Sequence, residues 1–326
     1  MTSAATYTVR RALYETLAEA LESDPSVVIM GEDIGPYGGA FGVTDDLHLR
    51  FPERLITTPI SENSFVGAAL GASMTGLRPV VELMFMDFVT LAMDQLVNHA
   101  AKVRYMYDGQ YAAPFVLRAP FGGRRGYGPS HSQSLESWFM SVAGVKIVCP
   151  STPADAAGLL KAAIADDGPV LFLEHKLLYG EQGPREAASA CELGEAVVRR
   201  VGSDISLIAY GWMCRLAEQV AEGLDAEGLS CEVIDMRTLK PLDLDTLYSS
   251  VRKTGRVAIL EEGNKTGGVG AEVAARIAED CLEHLRGRVV RVGAADAPVP
   301  AAAALERAVL PQLEDIVAAC RRAFVW

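Results

Sequence analysis

Short, almost unbroken apolar runs alternate with amphipathic stretches along this chain, and that rhythm leaves few folds open. In the first half the runs are VVIMGED (27–33), PVVELMF (79–85), PFVLRAP (114–120), VKIVCPS (145–151) and PVLFLEH (169–175). Helical spacing covers 9–22, 62–76, 89–106 and 153–166 between them. A strand apolar on both faces must be covered on both faces, and intervening helices supply that cover. The pattern predicts an α/β fold with a buried parallel sheet. The segment KLLYGEQGPREAASACELGEAVVRRVGSD (176–204) breaks the rhythm, which places a domain boundary near 185–200. We expect domains at 1–190 and 191–326. The second restarts the alternation, with strands ISLIAYG (205–211), CEVIDMR (231–237), RVAILEE (256–262) and RVVRVGA (288–294). Its helices are expected at 213–227, 244–254, 270–285 and 305–323, and Ala301–Ala304 starts or precedes the last of them.

Composition narrows the function. The formal net charge is −12, and basic residues cluster no more tightly than pairs such as Arg124-Arg125. A phosphate backbone needs a larger cationic footprint, so nucleic acid is not an expected partner. No apolar run approaches the roughly 18–20 residues that span a bilayer, and the amino terminus runs straight into an amphipathic pattern. A cytoplasmic protein with no membrane partner is expected. Cys149, Cys191, Cys214, Cys231, Cys281 and Cys320 are scattered with no CxxC, which favours reduced thiols over disulfides or zinc.

Several segments carry candidate chemistry. In TTPISENSFVGAALGASMTGLRP (57–79), Pro59 ends an extended segment, Ser61 suits a helix N-cap and Glu62 falls in the first turn. Glu62 either complements the helix dipole or, at a buried end, shares a proton with a ligand. Gly67 and Gly71 would let another backbone approach that helix closely. In FGGRRGYGPSHSQSLESWF (121–139), His131 sits in a glycine-rich loop after a strand, where open α/β sheets bind ligands. It is either a solvated loop histidine or an acid/base group. Alternation through Glu82, Met84, Met86 and Phe88 puts an aromatic at a strand end, for core packing or for stacking on a heterocycle. GGVGAEV (267–273) lacks the third glycine of a dinucleotide fingerprint, and a closely packed helix N-terminus is the better reading.

Taken in order, these strings resemble the beta subunits of thiamine-diphosphate-dependent 2-oxoacid dehydrogenases, the pyruvate, branched-chain 2-oxoacid and acetoin dehydrogenase family. The resemblance also runs through MGEDIG…YGGAFGVT (30–44), DQLVNHAAKVRYM (94–106), CPSTPADAAGLLKAAI (149–164), LEHKLLYG (173–180), VIDMRTLKPLD (233–243) and LERAVLPQLEDIV (305–317). It implies a pyrimidine-binding domain followed by a transketolase C-terminal-like domain. Glu62 matches the glutamate that hydrogen-bonds the aminopyrimidine ring, Phe88 the aromatic that stacks on it, and His131 the histidine implicated in reductive acylation. The carbonyls of Phe115, Ala163, Ile164, Asp166 and Gly168 fall where some relatives bind structural potassium, although AAIADDGP departs from the commoner polar version. Gly128-Pro129-Ser130 replaces the more usual Gly-Ala-Gln or Ala-Ala-Gln before the histidine. Ala301-Ala302-Ala303 replaces Tyr-Ala-Pro.

The resemblance also implies what lies elsewhere. The Gly-Asp-Gly that opens the usual Mg²⁺–diphosphate site does not occur in this chain. An alpha subunit is therefore expected to complete the site in an α2β2 assembly, and the acyl product would pass to a lipoyl acyltransferase core. Transfer of a two-carbon unit to an acyl carrier protein thiol, cleavage of acetoin, and a non-catalytic scaffold are the alternatives. Neither the 2-oxoacid nor the acyl acceptor is specified by the residues quoted.

Overall fold

A computed structural model of the chain describes residues 6–184 and 191–325. Part of the expected boundary, 185–190, lies outside the described residues. The chain forms two compact units, Met1–Phe121 with Trp138–Leu193 and Gly122–Ser137 with Gly194–Trp326.

The first unit opens with β1 (Thr6–Thr8), which pairs antiparallel with the late strand Gln182–Pro184. Thr8 then caps α1 (Val9–Ser23), its hydroxyl accepting the Arg11 N–H at 3.2 Å. Next come β2 (Val27–Glu32), α2 (Leu47–Arg50), β3 (Leu55–Thr58), α3 (Glu62–Met74), β4 (Arg78–Glu82), α4 (Val103–Met106), β5 (Val116–Phe121), α5 (Ser137–Met140), β6 (Lys146–Val148), α6 (Pro153–Ala165), β7 (Val170–His175) and β8 (Gln182–Pro184). Strands β6-β7-β5-β4-β2-β3 lie parallel in that order. Every residue of β2, β5 and β7 is buried, as their largely apolar character requires. Helices α1 and α6 pack on each other, while α3 packs on β2 and β4.

The helix expected over 89–106 is not one helix. A 3₁₀ turn (Met86–Ala92), a π turn (Asp94–Ala100) and α4 replace it. The π turn carries the Ala101 carbonyl against Gly144, where a Cβ would overlap it. β3 was not expected as a strand; it is short, and its Ile56 and Thr57 are exposed.

The second unit holds β9 (Val197–Arg200), β10 (Ile205–Ala209), α7 (Trp212–Asp225), β11 (Cys231–Asp235), β12 (Thr238–Lys240), α8 (Leu244–Thr254), β13 (Val257–Asn264), α9 (Val269–Asp280), β14 (Val290–Ala294), α10 (Ala303–Val309) and α11 (Leu313–Arg322). Its sheet runs β14-β13-β10-β11-β9, parallel except for β9. Leu207, Val220, Leu224, Val233, Leu260 and Ile316 meet in its core. The single helix expected over 305–323 is two, because Pro311 has no N–H to donate and holds Leu310 extended, at ψ 144°.

The division into units falls after Leu193 and carries one earlier segment across. Residues 122–137 join the second unit, because its buried carboxylates bind their backbone. The Gly123 N–H donates to Glu262 Oε1 and the Arg124 N–H to Glu306 Oε1, each at 2.7 Å. No helix among the described residues is long and apolar enough to cross a membrane. No cysteine among them is disulfide-bonded, and all but Cys191 are buried.

Candidate functional site

In the first unit, polar residues collect at the carboxyl ends of the parallel strands. Glu32 ends β2, Thr58 ends β3, Glu82 ends β4, and Glu174 and His175 end β7. One group of them is structural. Arg118 is fully buried, and its guanidinium donates to Glu174 Oε1 (2.6 Å), Glu174 Oε2 (2.7 Å) and Glu82 Oε2 (2.6 Å). The Tyr179 hydroxyl adds a bond to Glu174 Oε2 at 2.6 Å. Burial disfavours the Arg118 charge, but the two carboxylates more than reverse that and its pKa rises. Gly39, at φ +80°, leaves room for the Glu82 carboxylate where a Cβ would overlap it.

The other group is open to chemistry. Glu62 begins α3 and is only 5 % exposed. Ser61 occupies the N-cap position but does not cap with its side chain. Its hydroxyl bonds Ser64 Oγ at 2.9 Å, and its N–H donates to Glu32. Glu32 and Thr58 are direct cross-strand neighbours, and Glu32 Oε1 and Thr58 Oγ1 are buried with no hydrogen-bond partner among the described residues. Burial and then the Glu62 charge push Glu32 up to about 7. Glu32, beside Glu62, can thus retain a proton near neutral pH. Glu32 was not singled out from the sequence. The available signal was a carboxylate closing an otherwise uncharged buried run, VVIMGE.

Phe88 does not stand at a strand end. β4 stops at Glu82, and the Leu83 N–H goes to the Arg118 carbonyl at 3.0 Å. Phe88 lies in the 3₁₀ turn, half-buried, with its ring edge-on to Phe85 at 6.1 Å. Phe85 meets Phe41 at 5.6 Å, and Phe41 stacks on Tyr179 at 5.1 Å. The turn packs against α3, the helix that Glu62 begins.

His131 belongs to the second unit. Gly128-Pro129-Ser130-His131 is a tight turn closed by the His131 N–H to the Gly128 carbonyl at 3.2 Å. Ser130 Oγ lies 3.0 Å from His131 Nδ1. Beyond it, the Tyr210 hydroxyl donates to Glu136 Oε1 at 2.6 Å, and burial pushes Glu136 up to about 7. A cavity of about 300 Å³ is walled by Pro129, Ser132, Gln133, Glu262, Asn264 and Asp296, among others. The glycine turn at 267–270 does hold a carboxyl group, but the chain's own. The Glu261 carboxylate accepts the Gly270 N–H at 3.1 Å and lies where a Cβ of Gly268 would be. That explains the glycines without a dinucleotide.

The five carbonyls expected for potassium are already in part engaged. Phe115 O accepts the Val170 N–H (3.0 Å), Ala163 O accepts the Asp166 N–H (3.3 Å), and Ile164 O and Asp166 O both accept from Arg78 Nη1 (3.0 Å). A guanidinium therefore already supplies positive charge to two of them, while each oxygen keeps a second lone pair. Among the described residues, no group of three or more His, Cys, Asp or Glu side chains is arranged to hold a metal ion.

Comparison with known proteins places this geometry. Residues 5–182 match the family described as "Transketolase, pyrimidine binding domain", and 194–316 match "Transketolase, C-terminal domain". Over 322 residues the chain is 46% identical to "Pyruvate dehydrogenase E1 component subunit beta-1, mitochondrial" of Oryza sativa subsp. japonica, covering 97% of this chain and 86% of that one. The chain belongs to the beta-subunit family of the thiamine-diphosphate-dependent 2-oxoacid dehydrogenases. Another relative, "Acetoin:2,6-dichlorophenolindophenol oxidoreductase subunit beta" of Cupriavidus necator, is 40% identical over 96% of both chains. The solved "Split gene transketolase, inactive beta4 tetramer" superposes with a TM-score of 0.81 at 27% identity, covering 97% of each chain. The two-domain α/β architecture of this beta-subunit family is thus the one observed.

The residues present fit the pyrimidine end of the family's cofactor. An aminopyrimidine offers ring nitrogens and an amino group to hydrogen-bond. The orphaned Glu32 Oε1 and Thr58 Oγ1, beside the carboxyl of Glu62, are buried polar groups in want of such partners.

Proposed function

We propose that this chain is the beta subunit of an α2β2, pyruvate dehydrogenase-like 2-oxoacid dehydrogenase, active only with its alpha subunit. The observation that carries this reading is the buried carboxyls of Glu62 and Glu32 at the carboxyl ends of the strands, where Glu32 Oε1 and Thr58 Oγ1 have no hydrogen-bond partner among the described residues. Bound thiamine diphosphate would supply the nucleophilic carbon and take up the electron pair released when carbon dioxide leaves.

Glu62 would hold a proton against the pyrimidine ring, and the neighbouring Glu32 keeps a proton within the pair near neutral pH. Phe88 would flank the ring. His131 would position or donate a proton as the acyl group reaches its acceptor, a lipoyl disulfide on the acyltransferase core. A Ser130 hydroxyl donating to Nδ1 leaves the imidazole proton on Nε2.

Magnesium would be held mainly by the alpha subunit. A potassium ion at the carbonyls of Phe115, Ala163, Ile164, Asp166 and Gly168 belongs to the same reading, as does a cytoplasmic location. The small face of α3 supports the need for a partner: Ser64, Ala68, Gly71 and Thr75 lie exposed along one stripe. So does the split-gene transketolase beta chain, which was solved as an inactive tetramer.

The test is coexpression with the alpha partner and a dye-reduction assay across pyruvate, branched-chain 2-oxoacids and acetoin. Glu62→Gln should lower kcat by about 10²–10⁴-fold while the complex still assembles. Full activity in that variant would remove Glu62 from the chemistry. Acetoin is kept as a second substrate reading because the Cupriavidus necator relative matches end to end.

A further inference from the structure

We infer that Arg124, Glu262 and Glu306 are positioning residues that hold the His131 loop in its working shape. This rests on the role of His131 proposed above.

The segment leading to His131 carries unusual backbone. Gly122 (φ +89°), Arg124 (φ +70°), Gly126 (φ +68°) and Gly128 (φ +79°) are all left-handed. Such alternation turns successive N–H groups into a concave nest for anions. Here the chain's own carboxylates fill it. Glu262 is 3 % exposed and takes the Gly123 N–H at 2.7 Å; Glu306 is 6 % exposed and takes the Arg124 N–H at 2.7 Å and the Gly126 N–H at 3.3 Å.

Arg124 is the one residue of this run whose left-handed backbone costs energy, because it has a Cβ. Its side chain is anchored twice, through Nε to Glu262 Oε2 and through Nη2 to the Pro311 carbonyl, both at 2.6 Å. Glu262 therefore grips the loop by its backbone and by its side chain, while Glu306 holds the backbone alone. Five residues past Gly126, His131 ends the turn closed on Gly128. The loop is consequently held at Gly123, Arg124 and Gly126 by β13 and α10, and the turn that carries His131 begins two residues on. The Arg124–Glu262 bond joins the loop to a residue 138 positions away, so the sequence does not reveal the pairing.

The test separates two activities of the reconstituted α–β complex: dye reduction, which reports decarboxylation, and acyl transfer to a lipoylated protein domain. Arg124→Gly removes both side-chain anchors while leaving a residue at ease in the left-handed region. The ratio of acyl transfer to dye reduction should fall about tenfold, within the range expected when a catalytic group is misplaced by a fraction of an ångström. Arg124→Lys should restore part of it, and Glu262→Gln should show the same split. In a His131→Ala background, Arg124→Gly should lower the ratio no further.

An unchanged ratio in Arg124→Gly, or an effect fully additive with His131→Ala, would overturn the clamp. A His131→Ala complex with an unaltered ratio would overturn it together with the proposed role of His131. Failure of the unsubstituted complex to reduce dye with any of the substrates above is a different result, and it refutes the proposed function itself. If Glu262→Gln does not fold, Arg124→Gly decides.

Discussion

Arg118 shows what a single residue costs and provides here. A guanidinium with no access to water is tolerable only because two carboxylates and fork-like geometry hold it. Replacing it with methionine leaves Glu82 and Glu174 buried without a cation. We expect a loss of about 3–5 kcal/mol in denaturant unfolding. A loss below about 1 kcal/mol would mean that the cluster relaxes into solvent.

Residue-scale legibility followed the same logic. Glu62, Phe88 and His131 could be singled out because each lies inside a string that resembles its family and has a residue type suited to the chemistry. Glu32, Glu262 and Glu306 could not, although Glu32 and Glu306 lie in strings of the same kind. What marks them is the company they keep, and their partners are far away in sequence: Glu32 lies against Glu62, Glu262 against Arg124, Glu306 against Gly126. Only the folded chain makes those neighbours.

At the scale of elements, fully buried strands were legible and half-exposed ones were not. β2, β5 and β7 have no wet face, so their sequences are mostly apolar, broken only by buried charged or polar groups such as Glu32, Arg118 and Glu174. β3 and β9 are short and only partly buried, so periodicity gives them no signature. Helix breaks divide in the same way. The break at Pro311 has a local cause visible in the sequence, whereas the π turn at Asp94–Ala100 brings a carbonyl onto a distant glycine.

Two glycines test this contrast. Gly144, at φ +93°, has the Ala101 carbonyl where a side chain would go, so Gly144→Ala should destabilise the chain by about 2–4 kcal/mol. Gly71 faces open space in the middle of α3. Gly71→Ala should stabilise the isolated chain by about 0.5–1 kcal/mol through helix propensity. It should also weaken assembly with the alpha subunit, because the exposed small face is proposed to be covered there. Urea unfolding of the isolated chain and cosedimentation with the partner read the two effects separately. Unimpaired assembly would place the interface elsewhere.

For the molecule as a whole, buried carboxyls set the response to pH. Glu32, Glu136 and Glu261 are each pushed from 4.5 up to about 7, in every case chiefly by burial. A carboxyl whose folded pKa is raised binds its proton more tightly in the folded state. Its contribution is fully present below the unfolded pKa near 4.5 and is lost as pH rises through about 7. The isolated chain should therefore melt at a lower temperature at pH 8 than at pH 6, with Glu136→Gln flattening the difference. The depressed carboxyls, Asp24 and Asp243, act in the opposite sense and only at acid pH. A melting temperature that rises from pH 6 to pH 8 would contradict this account.

The whole-molecule claim is that the chain supplies the pyrimidine side of a thiamine diphosphate site and depends on a partner for the rest. Calorimetric titration of Mg²⁺–thiamine diphosphate into the chain alone, and into the chain assembled with its alpha subunit, tests that claim most directly. Saturable binding and decarboxylation should appear only in the assembled complex. Equal affinity and turnover in the isolated chain would contradict it.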